Sequence, residues 1–318
     1  MTTAPHRVLC IGECLIDLIA EGGTDLTAAS ALTIREGGAP TNVAVGLARL
    51  GIPTAMCAVV GDDPFGSRLL SLLKQECVDV SAVRQTRATE TTIAYAWRDE
   101  RGDGHFRLVR MADQLLDIED IDRARIDEAS VIVVGSVALS AAPSRQAVIH
   151  AVELAAARGV PVVFDVNVRP TLWPDLEALR AACAPVLARA TVIKLSLDDA
   201  VALWGQLAPE AIRTRLDAFP ARIVVITDGG RPTWLRQETD GGWRRHDVLA
   251  VDAVEPTGAG DAFTAALVSR LLANGWGVLT DADIRFAMAA GAITTTKPGA
   301  IAALPTTAEI ERFLAGAT

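Results

Sequence analysis

The residues with the most chemical content are Thr257-Gly258-Ala259-Gly260-Asp261. They stand between an extended apolar segment and a run, 262–274, with the composition of a helix. Gly258, Ala259 and Gly260 allow a tight turn and a close approach of backbone to ligand. Amides at a helix start have no partner inside the helix, and the positive end of the helix dipole lies behind them. Together they make a pocket for an anion. Asp261 adds a carboxylate able to take a proton from a hydroxyl. An anion pocket beside a proton acceptor points to phosphoryl transfer onto an alcohol. The competing reading is an ordinary helix cap, with Asp261 stabilising the first turn.

Five further clusters bear on that choice. Asp17 lies in the apolar run 15–19; it is either an acid facing solvent on an edge strand or a carboxylate accepting hydrogen bonds from two hydroxyls of a polyol. Gly37-Gly38-Ala39-Pro40-Thr41-Asn42 reads as the opening of a helix. A helix start explains Pro40, while the bare glycine amides and the Asn42 amide offer donors and an acceptor to sugar hydroxyls. Arg169, after Asp165-Val166-Asn167-Val168, either holds a phosphate or hydroxyl or pairs with Asp165. In Lys194-Leu195-Ser196-Leu197-Asp198-Asp199, Ser196 and Asp199 have the spacing of a capping pair. The functional alternative is a lysine near nucleotide phosphates and an acid holding the waters of a magnesium ion. Thr227-Asp228-Gly229-Gly230 is a turn at a strand end, with a phosphate-contacting loop as its functional reading.

Familiar phosphate motifs are absent. No GxxxxGK[ST] occurs, Phe263 breaks the dinucleotide glycine pattern, and no HRDxxxxN loop is present. Half of the 318 residues are hydrophobic, enough to bury the core of one large domain or two. With 30 basic against 39 acidic residues, a net charge of −9 and no basic run, nucleic acid is not an expected partner. Five scattered cysteines without a CxxC pair argue against a disulfide framework or a zinc site. The apolar run at 8–11 is too brief for a signal or membrane segment. A soluble protein of a reducing cytoplasm is expected, with no membrane partner.

The elements that must position these residues follow from periodicity. Strands are expected at 8–12, 15–20, 31–35 and 54–60, and helices at 40–50 and 65–77. Segments 92–97 and 105–109 alternate like a half-exposed hairpin with its turn at 101–104. With the two early strands they make a small separate sheet. From 130 onward, branched apolar runs at 131–135, 162–166, 192–195 and 223–227 alternate with helical stretches 144–158, 176–188 and 198–207. That rhythm implies a largely parallel sheet covered on both faces, with ligands at the carboxyl ends of its strands. Helices at 261–274, 281–296 and 307–315 close the chain.

Over nearly its whole length the chain resembles the ribokinase-like, or PfkB-type, carbohydrate kinases. Gly37-Gly38-Ala39-Pro40-Thr41-Asn42-Val43-Ala44 is similar to that family's Gly-Gly motif with an asparagine opening a helix. Glu255-Pro256-Thr257-Gly258-Ala259-Gly260-Asp261-Ala262-Phe263 is similar to its DTTGAGD motif. Within the family the chain looks most like bacterial fructokinases, through 61–66, 112–115, 165–173 and 291–300.

The resemblance implies an α/β fold: a Rossmann-like three-layer domain spanning 1–318, with a small β lid formed by 13–36 and 91–111. The implied reaction passes the γ-phosphoryl group of MgATP to a hydroxyl of a free sugar, fructose first. Alternatives are ribose, 2-keto-3-deoxygluconate, a sugar phosphate anchored by Arg35, Arg107 or Arg110, a nucleoside stacked on Tyr95, Trp97 or Phe106, and a catalytically silent sugar-binding protein. By the same resemblance Asp261 is the base and the amides of Gly258, Ala259 and Gly260 form the anion hole. Asp17, Gly37, Gly38 and Asn42 hold the sugar, and Arg169 bridges towards the phosphates. Lys194, Thr227, Gly229 and Thr257 line the ATP site. Asp199 is implied for magnesium through water, and Glu255, in place of the family's aspartate, for potassium. A homodimer through the lid is implied as well.

Overall fold

The computed structural model describes residues 7–23, 25–99, 104–239 and 241–316. The first half of the chain forms β1 (Arg7–Ile11), β2 (Leu15–Ala20), β3 (Leu32–Gly37), α1 (Ala39–Arg49), β4 (Thr54–Gly61), α2 (Pro64–Gln75) and β5 (Asp79–Thr86). Next come β6 (Ile93–Arg98), β7 (Gly104–Val109), α3 (Ile118–Arg123), β8 (Ala129–Gly135), α4 (Ser144–Ala157) and β9 (Val162–Asp165). Then follow α5 (Leu176–Leu187), β10 (Val192–Ser196), α6 (Leu197–Trp204), α7 (Pro209–Asp217) and β11 (Ile223–Asp228). The chain ends with β12 (Arg231–Gln237), β13 (Trp243–His246), α8 (Ala259–Ala273), α9 (Asp281–Thr295) and α10 (Thr307–Gly316).

The main sheet has nine strands in the order β13-β12-β11-β10-β9-β8-β1-β4-β5. From β11 to β5 neighbouring strands are parallel, and β12 and β13 turn back antiparallel at one edge. The continuous apolar runs of the sequence are its central strands, buried on both faces. In β1, Leu9 and Ile11 enter one core with Ile121, Val148, Leu179 and Leu203 of α3 to α6. Val8 and Cys10 enter the other, with Leu47, Leu69, Leu267 and Ile284 of α1, α2, α8 and α9. The result is the expected three layers.

The small sheet has the order β3-β2-β6-β7. Its outer pairs are antiparallel and β2 runs parallel to β6. The two early strands and the hairpin therefore do combine; the turn expected at 101–104 lies mainly outside the described residues. β2 follows β1 after three residues, and β3 leads directly into α1. The other entrance is tied by a buried network: Arg110 Nε donates to Asp113 at 2.6 Å, its Nη1 to Ser140 at 2.6 Å, and the Thr92 hydroxyl to Asp113.

Boundaries moved where local chemistry intervenes. The helix expected at 198–207 stops at Trp204 because Gly205 takes φ +81, and the strand expected to end at 35 continues to Gly37. The elements β5, β12, β13 and α7 lack a strong apolar period and are not legible in the sequence; in β12 polar Thr233 and Gln237 share the buried face with Leu235.

Candidate active site

Two helix starts meet at the carboxyl edge of the main sheet. Asn42 lies in the first turn of α1 and Asp261 in that of α8, and Asn42 Nδ2 donates to Asp261 Oδ2 at 2.7 Å. One turn further along each helix, a Cβ on Gly46 would stand 2.8 Å from that of Ala265. The helices thus run side by side in the same direction, and glycine is what lets them close. Both positive ends converge on one point, which favours an anion there.

The turn before α8 is built for close approach. Gly258 has φ +81, and a Cβ on it would fall 2.9 Å from Ala300. On Gly260 a Cβ would fall 2.8 Å from Lys194 Nζ. No side chain caps α8. Of the three expected anion-hole amides, that of Ala259 already donates to the Pro256 carbonyl at 3.2 Å. The amides of Gly258, Gly260 and Asp261 donate to no other described residue. They provide a cradle for phosphate oxygens, with Lys194 behind it.

Lys194 is buried and ion-paired to Asp165 at 3.0 Å, and Thr264 of α8 donates to the same carboxylate at 2.7 Å. Burial opposes the ammonium charge, but Asp165 and Asp199 outweigh it and hold its proton affinity above the usual value. The pairing considered for Asp165 and Arg169 is not formed. Arg169 Nη1 instead donates to Asn167 Oδ1 at 2.5 Å, where Asn167 takes φ +41, a conformation asparagine tolerates. Its guanidinium lies 5.5 Å from the ring centre of Phe106 on β7, so the small sheet reaches across to the loop after β9.

Carboxylates crowd this edge. Asp261 is buried and pushed up to about 6, first by burial and then by Asp165, against the Asn42 hydrogen bond, Lys194 and Arg169. Asp17 on β2 is pushed up to about 7 by burial, with Arg169 opposing and Asp261 and Glu255 adding to it. A Cβ on Gly37 would meet Asp17 Oδ2 at 2.2 Å, and one on Gly38 would meet the Glu13 carbonyl at 2.5 Å. The glycine pair is therefore required where β3 turns into α1. Asn42 Oδ1 is buried without a partner, a free acceptor beside the Asp261 carboxylate.

The remaining expected residues fall nearby or carry structural duties. Asp199 caps α6: it accepts from Ser196 N at 2.7 Å and Ser196 Oγ at 2.8 Å, and from Val168 N at 2.6 Å. Of its two readings the capping pair is formed. Glu255 Oε2 accepts from Gly299 N at 3.0 Å. Thr227 and Gly229 lie at the end of β11, beside the end of β10 that carries Lys194. Thr257 is in the turn ahead of α8. Arg110, weighed as a phosphate anchor, is committed to Asp113, Ser140 and Ser144. Sequence reasoning missed Glu13 and the roles of Asp165 and Thr264. For Glu13 the available signal was a charge within the apolar run 8–16.

Comparison with known proteins places the chain in one family of kinases, and the solved structures it matches include an aminoimidazole riboside kinase from Salmonella enterica beside fructokinases. Residues 5–307 match the pfkB family carbohydrate kinase. The chain is 35% identical over 317 residues to the probable fructokinase-6, chloroplastic, of Arabidopsis thaliana, covering 96% of this chain and 82% of that one. It superposes with TM-score 0.86 on a fructokinase with bound ATP from Xylella fastidiosa, 27% identical and covering 98% and 99% of the two chains. With TM-score 0.85 it matches a fructokinase double mutant from Vibrio cholerae O395 in fructose, ADP and potassium ion bound form; identity is 29%, and 99% and 100% of the chains are covered. The two helix starts that meet at Asn42 and Asp261 thus lie inside a match covering nearly the whole sequence, and the chain belongs to the pfkB family of carbohydrate kinases.

Proposed function

We propose that this protein is an ATP-dependent fructokinase, moving the γ-phosphoryl group of MgATP to a hydroxyl of free fructose. The observation that carries the reading is the Asn42–Asp261 contact beside the bare amides of Gly258 and Gly260. Asn42 holds Asp261 at a fixed angle, and the ionised carboxylate takes the proton of the attacking hydroxyl. Asp17, Gly37, Gly38 and the free Asn42 Oδ1 hold the other hydroxyls. The amide cradle and Lys194 stabilise charge on the transferring group, and Arg169 reaches the same charge from the opposite side. Positioning and charge stabilisation are what phosphoryl transfer chiefly requires. Thr227, Gly229 and Thr257 complete the nucleotide side.

The chemistry of the donors fits a polyphosphate: unpartnered amides at a helix start, a charged lysine and an arginine. Magnesium, when bound with the nucleotide, neutralises phosphate charge. Asp199 reaches its waters only through lone pairs not already engaged by Ser196 and Val168. For potassium, Glu255 keeps its Oε1, since Oε2 is held by Gly299.

Against a sugar phosphate stands the commitment of Arg110, one of its three candidate anchors, to Asp113 and Ser140. A nucleoside is disfavoured because Trp97 stacks on His105 and Phe106 packs against Arg169. We read 1–318 as one kinase domain in which 13–36 and 91–111 form a lid, supported by the way β2 and β3 join the main sheet and α1 beside Asp17, Gly37 and Gly38. We also propose a homodimer through that lid, supported by exposed Leu32, Ile34 and Val109 on its edge strands. A cytoplasmic setting is supported by five unpaired cysteines; among the described residues no helix is long and apolar enough to cross a membrane.

A coupled kinase assay over fructose, ribose, 2-keto-3-deoxygluconate, fructose 6-phosphate and adenosine tests the reading. Fructose should give the highest kcat/KM. Silence with fructose and rapid turnover of another acceptor would overturn it.

A further inference from the structure

Glu13 has no place in the roles assigned so far, yet it sits among them. It follows Gly12 at the carboxyl end of β1, in the middle of the main sheet, and is 3% exposed. Its backbone is fixed by the Thr41 hydroxyl, which donates to its carbonyl at 3.1 Å. Its side chain turns towards the Gly37-Gly38-Ala39 corner, where Oε1 accepts from Ala39 N at 3.2 Å. Oε2 is buried and has no partner.

A purely structural acid in this fold looks different. Asp120 of α3 has both oxygens satisfied, and so does Asp283 of α9. Holding Ala39 accounts for one oxygen of Glu13 and leaves the other as an uncompensated buried acceptor, which is costly. Asp17 occupies the matching position on the other side of the corner, against Gly37. Asp113, Arg110 and Arg169 are the charges that act on Glu13, and Arg169 acts on Asp17 and Asp261 as well. The Gly37-Gly38-Ala39 corner is thus flanked by two acids, and Oε2 of Glu13 is the oxygen that is buried there without a donor.

Resting on the sugar-kinase reading, we infer that Glu13 is a specificity-determining residue of the sugar pocket. Its Oε2 accepts a hydrogen bond from a sugar hydroxyl distinct from the one phosphorylated. A sugar lacking that hydroxyl, or presenting it on the other face, leaves the buried oxygen unpaired and is rejected for that reason.

The test uses the full-length enzyme and the sugar that the acceptor panel selects. Its monodeoxy analogues, each missing one hydroxyl, are compared by kcat/KM in the wild type, Glu13→Ala and Glu13→Gln. In the wild type, one analogue with an intact phosphorylation site should lose about 10- to 100-fold, the scale of a hydrogen bond to a charged group. In Glu13→Ala that selective loss should disappear while the penalties for the other analogues persist. Glu13→Gln keeps an acceptor for Ala39 N but replaces the charged oxygen with an NH2 that only donates, so if Glu13→Ala does not fold it should still shrink that selective loss. Unchanged ratios between sugar and analogues, with all rates lowered together, would leave Glu13 as a clamp on Ala39 and overturn the inference. No turnover of any sugar by the wild type would instead remove the sugar-kinase reading beneath it.

Discussion

Asp261 is pulled between burial, which favours its neutral form, and the Asn42 and Lys194 contacts, which favour its charge. With its value near 6, the side chain is ionised at neutral pH yet basic enough to accept a proton. Asp261→Asn should fold, bind ATP and lose about 10²–10⁴ in kcat, the usual reach of general base catalysis; near-normal turnover would remove it from the mechanism. Because the deprotonated form is needed, kcat/KM of the wild type should fall as pH drops through about 6. The stability effect has the opposite sign. A carboxylate raised in the fold contributes stability that is full below its ordinary value near 3.8 and lost as pH rises through about 6. At pH 8, Asp261→Asn should therefore be more stable than the wild type by about 1–3 kcal/mol, with the gap narrowing as the pH falls to about 4. Thermal melts of both proteins at pH 8 and pH 5 check this, and a variant less stable at pH 8 would contradict it.

The helices α1 and α8 act as one device, since the distance between their axes sets the distance between Asn42 and Asp261. Gly46 permits that spacing, with its Cβ position 2.8 Å from Ala265. Gly46→Val should push the helices apart, cost about 1–3 kcal/mol as an overpacked core does, and lower kcat more than it raises the KM for either substrate. A melt and a kinetic comparison decide it; wild-type kcat would show that the spacing is not critical. Much of this was legible in the sequence. Both helix starts carry glycines, proline or an acid at short range, and the parallel strands read as uninterrupted apolar runs. The antiparallel hairpin of β12 and β13 was not, because polar Thr233 and Gln237 stand on its buried face beside Leu235 and Pro232 lies near its start. Nor was the Lys194–Asp165–Thr264 cluster, whose members come from three elements and up to 99 positions apart. Asp199 is legible from sequence as half of a capping pair with Ser196, but the Val168 amide on its other oxygen comes from a different loop and is not.

At the scale of the whole molecule, the small sheet has both of its entrances at the site. β1 passes through Gly12-Glu13-Cys14 into β2, and β3 passes through Gly37-Gly38 into α1. The hairpin is rooted by Arg110, Asp113 and Thr92. Leu32 and Ile34 on one edge strand and Val109 on the other are each more than a third exposed, an apolar surface that a second copy would cover. Sedimentation should give a dimer at micromolar concentration and a monomer for Ile34→Arg; a monomeric wild type would remove the lid interface. The Asn42–Asp261 contact spans 219 positions of sequence. During synthesis the sugar-holding corner and the packing face of α1 are therefore complete long before α8 exists to meet them. A nascent chain carries Asn42 without Asp261, and an uncovered apolar face on α1, until α8 has been made more than two hundred residues later.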